Sequence, residues 1–270
     1  YSLLRYDQTE SLNHGKENIL SSIISDEKSA GNLKLRAKIE QAICDWNALA
    51  IKTYAEQYLD KYSYNIQVAA AALLGNSRIR NLDSQKKILE RMIEEEGDKA
   101  PEWIMLVKTG IDAIFNNDPI SFNNNTYAAI ESYKGKDKII LGYLYNINAF
   151  SQLILGGING KAEKKIDYIS LEKSPDKDNL IHADWVYYMI GNNYLSVGDH
   201  ENASEYLAIA YLKNHISQIY LNELIVALTE NGEYDIGRNA LKSHHENIQE
   251  LDFYSLDTLA VCIMRANPND

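Results

Sequence analysis

Histidine pairs are the first candidates for chemistry in this sequence. His244 and His245 precede Glu246, but side chains adjacent on a helix point about 100° apart and do not readily share one metal ion. A histidine near a helix C-terminus also suits the helix dipole, which favours a solvated helix end. His182 with Asp184 lies at a predicted helix start, without a cysteine or a third ligand at workable spacing. These residues predict no metal site.

The sequence also contains no convincing catalytic nucleophile or phosphate-binding loop. Cys44 has no histidine nearby in the sequence and lies far from Cys262, so both cysteines are expected to be small buried apolar residues. Asp199 and His200 form an isolated pair at another helix start. The glycine-rich segment 156–160 follows a helix rather than a strand and lacks the Lys and Ser/Thr of a P-loop, which favours a turn between helices. We predict no catalytic residues and no cofactor; an enzyme on a helical scaffold is the third functional alternative.

The charge balance and the hydropathy pattern exclude two classes of protein. The 270 residues include 27 Lys and Arg and 38 Asp and Glu. The resulting net charge of −11 disfavours non-specific binding to nucleic acid. The basic cluster 161–165 is partly neutralised by its own glutamate, so we expect no direct contact with nucleic acid. No apolar run reaches the roughly 18 residues of a membrane span. Because the chain begins at Tyr1 rather than Met, we expect sequence upstream and leave the compartment open between cytoplasm and periplasm.

Helical periodicity dominates the sequence. Between residues 35 and 59 the apolar side chains recur at spacings of three and four, which predicts one long amphipathic helix. Pro101, Pro119 and Pro175 lie where helices should begin, because proline is tolerated in the first helical turn. No window alternates apolar and polar residues for long enough to predict a strand, so the fold class is all-α. Further helices are predicted over 64–75, 83–96, 101–116, 119–133, 138–156, 160–172, 183–197, 200–214, 217–231, 234–247 and 250–266.

The predicted organisation has three parts. Residues 1–30 are polar and rich in Ser and Asn, so we expect a loosely ordered arm with one short helix near 17–25. Residues 31–137 form a divergent helical region. Residues 138–270 carry more regular repeats, and helix 250–266 would cover the apolar face of the last one as a cap. We expect the last two parts to form one continuous solenoid.

A repeat of two helices is visible in 185–214. Gly191 and Ala203 are expected to face each other where the two helices cross at close range, and Gly198 to turn the chain between them. The same spacing recurs 34 residues later, and a degenerate third copy spans 143–172. The signature positions are Tyr187, Ile190, Gly191, Tyr194, Gly198, Asp199, Ala203, Leu207 and Ala210, followed by Leu221, Leu224, Ile225, Leu228, Gly232, Tyr234, Gly237 and Leu241.

This pattern resembles the tetratricopeptide repeat, most strongly over 183–247. The resemblance implies a right-handed α-solenoid of stacked helix hairpins that binds a protein or peptide segment in its concave groove. A degenerate set of helices followed by better repeats is also similar to the effector domains of bacterial CadC-type transcription regulators. That similarity implies a regulatory domain whose DNA-binding part lies outside this chain, which is the second functional alternative.

The repeat register, carried over from the tetratricopeptide family, gives the residues that would line the groove. Helix 183–197 has no Lys or Arg, so the groove is expected to be aromatic, amide-bearing and neutral to acidic. The 19 tyrosines against four phenylalanines suit such a recognition surface. The partner is expected to be a protein or an extended or helical peptide. Formation of a homodimer is a further alternative. The predicted contact residues are Trp185, Tyr188, Asn192, Leu195, Ser196, Ile219, Asn222, Val226 and Thr229.

Overall fold

The computed structural model describes residues 19–45, 47–159, 181, 183–214 and 217–244, with single residues at 257, 260, 261 and 264. This part of the chain consists of helices joined by short connections and contains no strand, so the all-α prediction is confirmed. None of the described helices combines the length and the apolar character needed to cross a membrane. After a helical stretch over 19–25, the helices are α1 (Gly31–Cys44), α2 (Ala48–Lys61), α3 (Ile66–Arg78), α4 (Leu82–Glu96, followed by a 3-10 turn at Gly97–Lys99), α5 (Glu102–Phe115), α6 (Pro119–Ser132), α7 (Lys138–Asn159), α8 (Ala183–Ser196), α9 (His200–Lys213), α10 (Gln218–Glu230) and α11 (Tyr234–His244).

The same backbone turn closes five helix pairs in the described part of the chain. In each turn an N–H group bonds to the carbonyl five residues earlier at 2.8–3.0 Å, and four of the turns contain a residue with φ between 57° and 83°. This geometry is the Schellman motif, which satisfies carbonyls at a helix C-terminus. The pairs are α1–α2, α3–α4, α5–α6, α8–α9 and α10–α11, with turn donors Asn47, Asn81, Asp118, Asp199 and Glu233.

The turn donors also begin the next helix. The side chains of Asn47, Asn81, Asp118 and Asp199 each accept a hydrogen bond from the backbone N–H three residues later, at 2.9–3.3 Å. These are N-caps, and the short side-chain oxygen of Asn or Asp is well suited to that role. One residue therefore ends one helix and starts the next, which explains why the connections are short.

Several predicted helix boundaries are wrong. The helix predicted over 64–75 begins at Ile66 and continues to Arg78. The single helix predicted over 35–59 is two helices, because α1 ends at Cys44 and the cap formed by Asn47 starts α2. The helix predicted to end at residue 156 continues to Asn159, so the glycines at 156 and 157 lie inside α7 rather than in a turn. Apolar periodicity crosses the first break unchanged, and the polar cap is what divides the helix.

The described helices pack mainly in chain order. Each one from α1 to α10 touches the next described helix, and non-sequential contacts join α3 to α7 and α8 to α10. Tyr143 of α7 donates a hydrogen bond to Gln85 of α4 at 3.1 Å, and its ring lies edge-on to Trp103 of α5 at 6.3 Å. The α3–α7 contact is additional to a strictly sequential stack, and the solenoid arrangement stays a prediction.

The close crossing of α8 and α9 lies between Gly191 and Leu207. A Cβ atom at Gly191 would lie 2.6 Å from Leu207 Cγ, a distance that real Cβ atoms do not reach. Ala203 is fully buried and belongs to the same apolar cluster as Leu207 and Leu224. The three atoms nearest to that Cβ position all belong to Leu207, one turn of α9 away from the Ala203 that the sequence predicted.

Several sequence predictions lie outside the described residues. They include most of the N-terminal arm, the helix over 160–172 with its basic cluster at 161–165, and His182. The capping helix over 250–266 is described only at single residues, and the side chains of His244, His245 and Glu246 are not described. Within the arm, residues 19–25 are helical, in line with the short helix predicted near 17–25.

An ion cluster between α4 and α5 predicts how the fold responds to acid. The Asp112 carboxylate lies 2.7 Å from Lys86 Nζ and 2.6 Å from Lys108 Nζ. Burial raises the pKa of Asp112, but the hydrogen bonds from the two lysines outweigh that effect and hold the pKa below its ordinary value of 3.8. A lowered folded-state pKa adds stability above the unfolded pKa, and that stability disappears as the pH falls through the folded pKa.

We therefore expect the free energy of unfolding to decrease as the pH drops below about 4. The decrease should be less steep in Asp112→Asn than in the parent chain. The difference should reach up to about 1 kcal/mol, because the pair is partly solvated. Urea unfolding followed by circular dichroism at several pH values from neutral to pH 3 measures it. Glu205→Gln, on the exposed side of α9, is the control. Parallel pH profiles for Asp112→Asn and the parent chain would contradict the assignment.

Candidate functional site

A ladder of stacked aromatic rings joins α8 to α10. The rings of Trp185 and Tyr188, which lie one turn apart on α8, stack with 5.1 Å between their centroids and 28° between their planes. Tyr188 also stacks on Tyr220 of α10, at 4.8 Å and 28°. Tyr220 is buried, whereas Trp185 and Tyr188 are half-buried. The ladder therefore runs from the interior of the protein to its surface.

Two arginines from the end of α3 lie over the outer ring of this ladder. Arg78 Cζ is 5.3 Å and Arg80 Cζ is 5.8 Å from the centroid of Trp185, both within the range of a cation–π contact. Arg80 also lies 5.8 Å from the ring of Phe150 on α7. Arg80 is exposed and is the left-handed residue of the turn after α3, with φ 57°. We call Arg80, Phe150, Trp185 and Tyr188 the arginine–aromatic face.

A buried carboxylate links the elements that carry this face. Asp184, in the first turn of α8, has no exposed surface, and its Oδ2 accepts hydrogen bonds from Tyr220 Oη at 2.9 Å and Asn214 Nδ2 at 3.1 Å. Arg78 Nη2 lies 3.8 Å from the same oxygen. Burial, followed by the negative charge of Asp184, raises the pKa of Tyr220, so its hydroxyl stays a protonated donor. Asp184 thus connects α3, α8 and α10.

The predicted groove residues divide into an accessible set and a buried set. Asn222 and Thr229 are 3% and 2% exposed, and their side chains bond within α10, Asn222 to Gln218 and Thr229 to the carbonyl of Ile225. Asn192 donates a hydrogen bond to the carbonyl of Tyr188 at 3.1 Å. The accessible set contains Ile219, which is 60% exposed, the exposed Ser196, and the half-buried Trp185, Tyr188, Asn192, Leu195 and Val226.

The sequence pattern gave no sign of the two arginines at this face. Arg78 and Arg80 belong to the region predicted to be divergent, whereas Trp185 and Tyr188 belong to the segment that most resembles the tetratricopeptide repeat. The expectation of a neutral to acidic groove is therefore wrong beside Trp185, where two guanidinium groups approach. Arg80 and Asn81 form the same turn as the corresponding residues of the other helix pairs. A turn that is recognised from the local sequence does not reveal which distant ring the arginine contacts.

Metal-binding clusters are not apparent in the described residues. No group of three His, Cys, Asp or Glu side chains among them could hold a metal ion. Asp199, one of the acid–histidine candidates, caps α9 by accepting a hydrogen bond from the N–H of Asn202. Cys44, at the end of α1, is half-buried and forms no disulfide. The arginine–aromatic face is therefore the strongest candidate for function.

Comparison with protein families, curated proteins and solved structures gives no match to this chain. The resemblance to the tetratricopeptide repeat is carried by the signature residues alone.

Proposed function

We propose that this chain is a non-catalytic helical-repeat scaffold that binds a protein or peptide segment, and that the arginine–aromatic face together with Ile219 is its contact surface. The observation that carries the proposal is the exposed Arg80 guanidinium held over the half-buried ring of Trp185. Trp, Tyr and Arg are the residues most enriched among those that dominate binding energy at interfaces. Tyr and Trp supply large contact area at a low cost in conformational entropy.

Arg80 also indicates the chemistry of the bound segment. In the described part of the chain no carboxylate pairs with Arg80, although the protein carries a net charge of −11. A guanidinium group positioned by two aromatic rings can bind a carboxylate through paired hydrogen bonds. We expect a segment with an acidic side chain, or a C-terminal carboxylate, close to an apolar residue.

The apolar residue of that segment would lie along α10. Ile219 and Val226 are seven residues apart and therefore share one side of the helix, where Ile219 is 60% exposed. Burying an exposed isoleucine side chain stabilises a complex by about 1.5–3 kcal/mol. In the proposed tetratricopeptide arrangement α8 and α10 would both be first helices of their hairpins, so the segment would run across the concave side.

Selection from a random-peptide phage library on the whole chain tests this proposal. We expect the enriched peptides to share a carboxylate close to an apolar residue, and their affinity to fall as salt is raised. Enrichment of basic or purely polar peptides would contradict the proposed chemistry.

Variants of the face then locate the binding site. We expect Arg80→Gln and Ile219→Ser each to weaken the best peptide, Arg80→Gln by roughly thirtyfold, which is the effect of losing about 2 kcal/mol. Fluorescence polarisation measures the affinity, and Glu205→Gln on the exposed side of α9 should bind as the parent chain does. Tyr188→Ala is a less specific test, because Tyr188 stacks on rings at both sides and its loss would also disturb folding. Unchanged affinity in both face variants would exclude this surface.

A further inference from the structure

A cavity of about 330 Å³ lies between α2 and α4, away from the arginine–aromatic face. Both helices pack against α3, whose buried Ala69 forms part of the cavity wall. The volume lies at the lower end of the range for small-molecule sites, which is about 300–1,000 Å³. Its apolar lining consists of Leu59, Ala69, Ile88 and Met92.

The two helices bring charges of opposite sign to this cavity. Glu56 and Asp60 lie one turn apart on α2, and Lys87 and Arg91 lie one turn apart on α4. Ser84 of α4 adds a hydroxyl. The cavity therefore has an acidic wall, a basic wall and an apolar lining, rather than one sign of charge throughout.

Two of the four charged groups are held in place by the protein. Glu56 accepts a hydrogen bond from Asn76 at 3.0 Å and pairs with Lys52 at 3.3 Å. Arg91 donates a hydrogen bond to the carbonyl of Leu59 at 2.8 Å. These contacts fix one carboxylate and one guanidinium at the cavity before any ligand arrives, which lowers the ordering cost of binding.

The other two charged groups are exposed and able to meet a ligand. The described residues give neither Asp60 nor Lys87 an ion-pair partner. Tyr64 also lines the cavity, and its hydroxyl oxygen is shielded from solvent and has no hydrogen-bond partner of normal geometry, although Glu96 lies near it. Burial, followed by the charge of Glu96 and a hydrogen bond to it, raises the pKa of Tyr64, so the hydroxyl stays protonated.

We propose that this cavity binds a small zwitterion of the α-amino-acid type with an apolar side chain. The ammonium group would lie at Glu56 and Asp60, the carboxylate at Lys87 and Arg91, and the side chain against the apolar lining. A molecule with a single charge would leave either Asp60 or Lys87 without an ion-pair partner, and this difference is the source of specificity. None of the residues that line the cavity belongs to the arginine–aromatic face, so the experiments on the two sites can fail independently.

Isothermal titration of the whole chain with leucine, methionine and phenylalanine tests the proposal. At least one of them should bind with a millimolar or tighter Kd, and its N-acetyl and its amide derivatives should each bind at least tenfold more weakly, because each lacks one charge. Failure of all three amino acids to bind at 10 mM would overturn the proposal. Equal binding of the amino acid and its two derivatives would overturn it as well.

Charge-removing variants place the ligand in the cavity. Asp60→Asn and Lys87→Gln are exposed substitutions that should leave the fold intact and weaken amino-acid binding about tenfold each, a loss of one charge-assisted contact. Asp98→Asn and Lys136→Gln, exposed positions elsewhere on the chain, are the matched controls and should bind as the parent chain does. Unchanged affinity in both cavity variants would show that the amino acid binds elsewhere and would overturn the assignment.

Discussion

Asp184→Ala is expected to lower the free energy of unfolding by about 3–5 kcal/mol, because it removes one partner of a buried ion pair. Asp184 has no exposed surface, and the Arg78 side chain is 11% exposed, so the arginine would remain in the interior without its counter-charge. Tyr220 and Asn214 would also lose the acceptor of their hydrogen bonds. Each buried donor left without a partner adds a further cost.

Urea unfolding followed by far-UV circular dichroism measures this effect. Asp235→Ala is the matched control, because Asp235 is 77% exposed although it also pairs with an arginine, Arg238, at 2.7 Å. That surface pair should contribute less than about 1 kcal/mol. Tyr220→Phe keeps the ring stack and removes one hydrogen bond to a charged group, so it should give an intermediate loss of about 1.5–3 kcal/mol. A loss for Asp184→Ala as small as that of Asp235→Ala would contradict a structural role for the buried carboxylate.

Gly75→Ala should destabilise the protein although alanine is the better helix former. A Cβ atom at Gly75 of α3 would lie 2.7 Å from the backbone nitrogen of Lys52 and 2.9 Å from the carbonyl oxygen of Ala48, both in α2. Because the obstacle is backbone, no side chain can rotate away, and the two helices must move apart. Overpacking of this kind costs about 1–3 kcal/mol, occasionally more, which exceeds the roughly 1 kcal/mol gained by replacing glycine with alanine in a helix.

Gly237→Ala is the matched control for that substitution. Gly237 also lies in a helix, α11, but a Cβ atom there would be 3.5 Å from Ile225 Cγ2, which is an ordinary contact distance. Alanine should therefore be neutral or stabilising at this position. In thermal unfolding we expect Gly75→Ala to lower the midpoint temperature. Gly237→Ala should leave the midpoint unchanged or raise it. A stabilising Gly75→Ala would mean that α2 and α3 do not approach this closely.

The local sequence is enough to derive the class of structure and most helix limits. Apolar residues that recur every three to four positions require helices, and Pro101 and Pro119 predicted where two of them begin. The 34-residue spacing of the sequence pattern also predicted turns at Gly198 and Gly232, both left-handed in the structure. These features depend on residues within a few positions of one another, so they can be derived from the local sequence. The break before Asn47 was missed because the apolar period continues across it.

Which distant helices meet depends on the tertiary structure. The contact between α3 and α7, and the approach of Arg78 and Arg80 to Trp185, join regions far apart in the sequence. The same is true of the opposite charges that α2 and α4 bring to one cavity. The apolar periodicity of a helix indicates that one face is buried, but it does not indicate which other helix covers that face. The choice of partner depends on how the whole set of side chains fits together, and the chemistry of both candidate sites follows from that choice.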